Sequence, residues 1–419
     1  ASSYLAYGGT LQVVRADDYN TTTGVGLTNA FVGAATSIRI KSGTHYNQLG
    51  YDENTITNVT VAAKNPGTWA NGIKVAIIDG KADQILTVPD AAPYAVGLGV
   101  TQAINKTTGT SSGIGTIDGY LKGIVTGSTR TTVEVKVVSH VSAAGTETNV
   151  DYQQNGTYTF ASGTAVGFTT AGVPTGTNST GVTPTAQEDW FEKQDITLSV
   201  GKLEWDQLAD APGTSAYAAA RGGRNDEVHV VVIDDKGTVT GNAGTILEKH
   251  LNLSKAKDGE YSVGSTSYWR KYLATNSKYI YGGSAPAGIT TTGWSNSADN
   301  TLDADSGWDQ DADSVNFGAS GVVTGTLAGG TNYGDKTDLT TTGALSSGLD
   351  DIISGYTLFE NTEETEVDFI LMGSANYPKE TAQALAEKVI AVAEARKDAV
   401  AFVSPYRQAF LNDSAAGSV

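Results

Sequence analysis

"EVDFILMG" at residues 366–373 and "DAVAFVSP" at 398–405 are the two apolar runs that decide the fold expected for the C-terminal part of the chain. Between them, residues 381–397 carry apolar side chains at helical spacing. The positions on this one face are Ala382, Leu385, Ala386, Val389, Ile390 and Ala393. Strand, helix and strand in this order predict a right-handed βαβ unit with parallel strands. Continuous apolar strands are typical of strands that are buried on both faces.

Other apolar runs predict a second, β-rich region. "NGIKVAIIDG" (71–80) and "DEVHVVVIDDKGTVTG" (226–241) have the pattern of buried strands, and Asp235-Lys236-Gly237 is typical of a hairpin turn. Pairing these strands in one sheet leaves few unpaired edges. The Thr- and Gly-rich residues at about 90–184 then form an inserted all-β part, and short helices are expected within 265–277 and 345–356.

Composition excludes several classes of function. The 419-residue chain has no Cys, so disulfides, thiolate-bound zinc and thiol catalysis are absent. A net charge of -18 opposes binding to phosphate backbones, and no apolar run is long enough for a membrane helix. His229, one of four histidines, lies within "DEVHVVVID" and is expected to be a strand residue and not a metal ligand.

Two candidate catalytic features lack the residues that their chemistry needs. The loop "GSANYPKE" (373–380) follows a predicted strand, yet it matches neither glycine-rich phosphate-binding pattern. Ser404 has no GxSxG elbow around it, and Pro405 removes a backbone donor that an oxyanion hole would use. Ser404 is therefore interpreted as the end of a strand.

The acidic stretch "LDADSGWDQDADS" (302–314) has the alternate-residue spacing of a calcium loop. Counted from Asp309, however, the sixth position is Ser314, where an EF-hand needs Gly, and the twelfth is Ser320, where it needs Glu. A solvated acidic loop is the favoured interpretation.

Three stretches, taken in order, resemble the contractile tail sheath proteins of T4-like myophages. "LAYGGTLQVVRA" (5–16) is similar to a strand ending in a V-R-A element, and "VAAKNPGTWANGIKVAI" (61–77) resembles the P-G-containing signature that opens the family's β-rich domain. "LAGGTNYG" (327–334), followed by "GLDDIISGYTLFENTEETEVDFILMGSA" (348–375), is similar to the family's L-x-G-G-x-x-G element, helix, turn and core strand.

The resemblance implies an α+β multidomain protein: an α/β sheath core with the βαβ unit, and a β-rich, sandwich- or barrel-like protruding domain. Residues 1–16 would be the N-terminal part of the core and 17–56 a connecting region. Residues 57–254 would form the outer domain, with its insertion at about 90–184, and 255–419 the rest of the core. Family members carry terminal arms that this chain is expected to lack.

The function implied is structural: a sheath subunit that polymerises helically around the tail tube and contracts to drive the tube through the host envelope. The expected partners are further copies of the chain joined by strand exchange, the tube protein, and the baseplate and tail terminator proteins. No enzyme activity, cofactor, nucleic acid or membrane is expected, and the location would be the virion after assembly in the host cytoplasm. Lys388, Arg396 and Lys397 are hypothetical contacts with an acidic tube or a neighbouring subunit, although a solvated helix face is the favoured interpretation of these residues.

An extracellular surface-layer or adhesin-like β protein, with calcium in the acidic loop, is the alternative. Acidity, the lack of Cys and the richness in Thr and Gly all suit it. The predicted βαβ unit favours the sheath.

Overall fold

The computed structural model describes residues 10–14, 16, 27–89, 94–105, 117–154, 156, 158–169, 181–287, 293–294, 302–303, 307–332, 349–363, 365–373 and 379–406. The chain divides into two compact units. Unit 1 comprises Ala1–Thr28, Pro66–Thr68 and Gly330–Val419, and unit 2 comprises Asn29–Asn65 and Trp69–Gly329.

β-Strands dominate the described part of the chain, and helices are few. The strands are β1 (Phe31–Gly33), β2 (Val59–Ala63), β3 (Lys74–Ile78), β4 (Gln84–Thr87), β5 (Gly99–Asn105), β6 (Ile117–Ser128), β7 (Thr132–Val141), β8 (Glu147–Asn149), β9 (Gly167–Thr169), β10 (Ala186–Asp189), β11 (Asp195–Leu198), β12 (Gly201–Glu204), β13 (Glu227–Asp234), β14 (Thr245–Ser254), β15 (Glu260–Ser262), β16 (Ser265–Thr266), β17 (Ile280–Gly282), β18 (Gly293–Trp294), β19 (Leu302–Asp303), β20 (Val323–Thr326), β21 (Phe369–Leu371) and β22 (Val400–Phe402). The α-helices are α1 (Gly43–Gln48), α2 (Ala216–Ala219), α3 (Trp269–Asn276), α4 (Leu349–Thr357) and α5 (Lys379–Arg396).

A four-stranded antiparallel sheet of order β14-β13-β3-β20 lies at the centre of unit 2. Val230 stands opposite Ile77 and Val231 opposite Ala76, so successive side chains enter two different cores, one on each face. The predicted pairing of 71–80 with 226–241 is therefore confirmed for β3 and β13. β13 also forms a hairpin with β14, but the connection runs over residues 235–244, so the return strand begins later than the predicted turn at Asp235-Lys236-Gly237 implies. Seven of the eight residues of β13 are buried, in agreement with the continuous apolar run at residues 230–233.

The Thr- and Gly-rich insertion forms a second antiparallel sheet in unit 2. Its order is β10-β4-β7-β6-β5-β9, with β8 paired to β7. The path ends at β10 and β9, so the described strands form an open sheet, which corrects the barrel-like expectation. The sheet also reaches beyond the expected insertion, because β4 and β10 pair with each other through residues 84–87 and 186–189.

The domain boundary expected after residue 254 differs from the division seen in the structure. β17 pairs with β2, and β20 pairs with β3, so residues 255–329 belong to unit 2. The physical reason is that these strands find their hydrogen-bond partners before residue 80, and composition does not reveal such distant pairing.

In unit 1, β21 and β22 are parallel and are joined through α5, as the βαβ prediction requires. The helix runs Lys379–Arg396, where 381–397 was expected. Its buried side chains are Ala382, Leu385, Val389, Val392 and Arg396. Ile390, which the spacing predicts on the buried face, is 48% exposed. The buried residues of α5 therefore form a narrower stripe along the helix than the sequence predicts.

Some sequence-based predictions lie outside the described residues. They concern most of 5–16, the first part of the 17–56 connection, parts of the insertion at about 90–184, Asp305, residues 333–348, and residues 374–378 of the loop "GSANYPKE".

Candidate interaction surface

One face of the two-stranded sheet in unit 1 is apolar and open to solvent. Phe369 and Leu371 of β21 are 53% and 60% exposed, and Val400 and Phe402 of β22 are 56% and 52% exposed. The rings of Phe369 and Phe402 meet edge to face, with their centroids 5.8 Å apart. We name these four residues the apolar face.

The opposite face of the same sheet is covered. Ile370 and Met372 are buried against Leu385 and Val389 of α5, and Ala401 packs beside them. Because side chains alternate across a strand, one helix covers one set and leaves the other outside. The expectation that these strands are buried on both faces is therefore wrong for this chain.

The main chain of this sheet also has unused capacity for pairing. Among the described strands, β21 and β22 pair only with each other, and the amide of Met372 donates to the carbonyl of Phe402 over 2.9 Å. With respect to the described strands, β21 and β22 each keep an outer edge, where peptide groups can accept an added strand. On the edge of β21, the Leu371 carbonyl already accepts from the Tyr356 hydroxyl. A sheet of two short strands is marginal by itself and gains stability from further strands or a second cover.

Side-chain hydrogen bonds join the ends of the two strands to each other and join β21 to α4. The Ser404 hydroxyl donates to the carbonyl of Gly373 over 2.7 Å, and the Tyr356 hydroxyl donates to the carbonyl of Leu371 over 2.7 Å. Gly373 has φ of +80°, a conformation that favours glycine. Ser404 thus lies just past the end of β22, as its interpretation as a strand terminus predicts.

Arg396 has an internal role. Its guanidinium makes two hydrogen bonds of 2.9 Å to the carboxylate of Asp398 and donates to the carbonyls of Phe359 and Thr365 over 2.8 and 2.9 Å. The side chain is fully buried. It anchors the end of α5 to the turn before β21 and offers no surface to a partner in this conformation.

The other two candidate cations are placed differently. Lys388 forms an ion pair of 2.6 Å with Glu360, and both side chains keep access to solvent. Lys397 is exposed just after the helix, with φ of +65°. Lys388 and Lys397 remain predicted interface residues, and the structure brings neither into a cluster with Arg396.

Two carboxylates of the acidic stretch at 302–314, those of Asp309 and Asp311, contact other side chains of the protein. Asp309 accepts a hydrogen bond of 2.7 Å from the Tyr268 hydroxyl and lies 3.5 Å from Arg270, and Asp311 pairs with Lys257 at 3.6 Å. Within the described ranges, no group of three or more His, Asp or Glu side chains has the arrangement of a metal site.

Two remaining candidates have structural explanations. His229 is buried in β13; its Nδ1 accepts from the amide of Asn252 over 3.0 Å, so Nε2 donates to the carbonyl of Asp210 over 2.9 Å. A cleft of about 300 Å³ in unit 2 is lined by polar side chains such as Gln187 and Glu192, whereas ligand pockets are mostly apolar.

The sequence did contain an indication of the apolar face. "FIL" and "VAF" are apolar at every position, so side chains on both faces of the sheet are apolar. This pattern does not tell whether segments of the same chain cover both faces. Of the helices that the structure describes, none combines the length and apolarity needed to cross a membrane. No protein-family model and no curated protein matches the chain.

Proposed function

We propose that this protein is a subunit of the contractile tail sheath of a bacteriophage. The supporting observation is the apolar face of the β21–β22 sheet, together with the outer edges of that sheet, which pair with no other described strand. Unit 1 would be the α/β sheath core, and unit 2 the β-rich protruding domain. The proposal also rests on the ordered resemblance of three stretches to sheath proteins.

The physical requirements of a contractile lattice agree with this sheet. Subunits must stay joined while they rotate, and main-chain hydrogen bonds to an added strand persist through a rigid-body rotation. A strand from a second copy, placed beside β21 or β22, would pair the open edge. A side chain from that copy would cover part of the apolar face, which reduces its exposure to water.

The closed cores of unit 2 suit a domain that moves as a rigid body. The four-stranded sheet is buried on both faces, so a change in subunit packing leaves it intact. Contacts with the tube, the baseplate and the tail terminator would then come from surface side chains, for which Lys388 and Lys397 are the candidates. Location in the virion follows from the same proposal.

Negative-stain electron microscopy of the purified protein tests the proposal. Long hollow cylinders are the expected result. Substituting both Leu371→Asp and Phe402→Asp places two charges on the apolar face, and we expect the folded variant to form no cylinders. Val263→Asp is the matched control, since Val263 is 100% exposed in unit 2, and it should assemble like the wild type.

Two outcomes contradict the proposal. Flat arrays, or particles that form only with calcium, would favour the surface-layer alternative. Cylinders from the Leu371→Asp and Phe402→Asp variant would show that the apolar face is not the site of assembly. Circular dichroism of each variant separates loss of assembly from loss of folding.

A further inference from the structure

A lysine and an aspartate meet in the interior of unit 2. Asp79 follows β3, Lys255 follows β14, and both side chains are almost completely buried. The Lys255 amine nitrogen lies 2.5 Å from Oδ1 of Asp79. Because β3 and β14 are the two neighbours of β13, this contact joins strands on opposite sides of it.

The surroundings hold the two groups in a fixed orientation. The amine also donates to the carbonyls of Asn225 and Gly318, over 3.0 and 3.2 Å, and lies 5.5 Å from the ring centroid of Trp308. The other carboxyl oxygen, Oδ2, accepts from the amide and the hydroxyl of Ser320, over 2.8 and 3.3 Å. Two reactants held in this way react as one molecule, which removes most of the entropic barrier.

Burial favours the reactive protonation states of both groups. Burial raises the pKa of Asp79, and the charge and hydrogen bond of Lys255 oppose that shift only in part. Burial lowers the pKa of Lys255, and the charge of Asp79 likewise opposes it only in part. A neutral amine is a nucleophile and a neutral carboxylic acid is an electrophile, whereas the ammonium and the carboxylate are unreactive.

We propose that Lys255 and Asp79 condense to an intramolecular isopeptide bond. The lone pair of the Lys255 nitrogen attacks Cγ of Asp79 and forms the C–N bond. Negative charge then develops on Oδ2, where the two donors of Ser320 stabilise it. The C–Oδ1 bond breaks, and Oδ1 leaves as water with its own proton and one proton from nitrogen. No oxidant, reductant or co-reactant is needed.

Two other close lysine–carboxylate pairs in unit 2 serve as internal controls. Lys136 and Asp83 are 2.7 Å apart, and Lys122 and Glu147 are 2.8 Å apart. In each pair one side chain is more exposed to solvent than Lys255 or Asp79: Lys136 is 16% exposed and Glu147 is 23% exposed. Water can compete for the contact in such pairs, so we expect both to remain unlinked.

Mass spectrometry of the whole denatured chain tests the proposal. The expected mass is lower than the sequence mass by one water molecule. Tryptic digestion should yield a branched peptide in which 75–81 is joined to 250–257, because a modified Lys255 is not cleaved. The peptides that contain Asp83, Lys122, Lys136 and Glu147 should be recovered unlinked.

One side reaction loses the same water and must be separated. Asp79 precedes Gly80, and an Asp-Gly pair can cyclise to a succinimide. Lys255→Met abolishes the isopeptide bond but not a succinimide, so the variant should regain the full sequence mass. The proposal is overturned if the wild type has the full sequence mass, or if 75–81 and 250–255 are recovered as separate peptides. Both readings come from the wild type, so a misfolded variant does not affect them.

Discussion

Strand β13 of the four-stranded sheet in unit 2 and strands β21 and β22 of the two-stranded sheet in unit 1 all carry continuous apolar runs, yet their surroundings differ. β13 has Val230 and Val232 in one core and Val231 and Ile233 in another. In unit 1, α5 covers Ile370 and Ala401, while Phe369 and its three neighbours on the apolar face stay exposed. The same apolar pattern therefore occurs in a sheet that is buried on both faces and in a sheet that is buried on one face only.

The comparison shows why an exposed apolar sheet face matters. Burial of apolar surface stabilises by about 25 cal/mol per Å², so a face left in water is a source of binding free energy. Unit 2 has used this free energy within the chain. The apolar face of unit 1 leaves this free energy unused within the described chain, and the proposed assembly would draw on it.

The largest difference between the two sheets is expected when an aspartate is introduced into each and the losses in free energy of unfolding are compared. Val230→Asp buries an unpaired carboxylate and should cost more than about 4 kcal/mol, enough to unfold unit 2. Val400→Asp lies on the apolar face and should change the free energy of unfolding by less than about 1 kcal/mol. Urea denaturation, followed by circular dichroism, measures the free energy of unfolding of both variants. Equal losses of this free energy would mean that the apolar face is covered within the chain.

Removing Arg396 should destabilise unit 1 by about 2–3 kcal/mol. Arg396→Ala leaves the carbonyls of Phe359 and Thr365 without their donor and removes the pairing with Asp398. Hydrogen exchange at 359–366 should accelerate. The control is Lys397→Gly, which suits the positive φ at that position and should not lower stability; unchanged exchange in Arg396→Ala would contradict the anchoring role.

Substitution of Glu248, on the edge strand β14, should cause a smaller loss of stability that depends on pH. Burial alone would raise its pKa, but hydrogen bonds from His250, Ser277 and Lys278 outweigh burial and lower the pKa below the ordinary 4.5. A depressed pKa stabilises the fold above pH 4.5, and this stabilisation is lost as the pH falls through the lower, folded-state pKa. Glu248→Gln should therefore cost about 1 kcal/mol at neutral pH.

The pH profile of thermal unfolding checks this prediction. The difference between wild type and Glu248→Gln should shrink below pH 4.5, whereas Glu53→Gln, at an exposed carboxylate, should follow the wild type throughout. A difference that stays constant into acid would show that the Glu248 carboxylate is not the stabilising group.

Lys388 is expected to give the smallest change in folding. Its ion pair with Glu360 keeps solvent access at both side chains, so Lys388→Gln should cost less than about 0.5 kcal/mol. If Lys388 also contacts an acidic partner, the variant should assemble at lower yield, with weaker dependence on salt. Identical assembly by wild type and variant would remove Lys388 from the interface.

Local patterns predicted individual elements well. The apolar run around Val230 predicted a buried strand, Asp235-Lys236-Gly237 predicted a hairpin, and the spacing of Leu385 and Val389 predicted the covering helix. The apolar face was missed because exposure depends on how many layers pack over a strand. The Lys255–Asp79 contact was missed because 176 residues separate its partners.

The sequence by itself determined that the chain has no thiol chemistry, that it is strongly acidic, and where its main strands and helices lie. Only the tertiary structure decided which strands share a sheet, that residues 255–329 join unit 2, and that Arg396 is an internal anchor. It also showed that Phe369, Leu371, Val400 and Phe402 remain exposed. Secondary structure follows from side chains close along the chain, whereas burial is set by segments that meet only after folding.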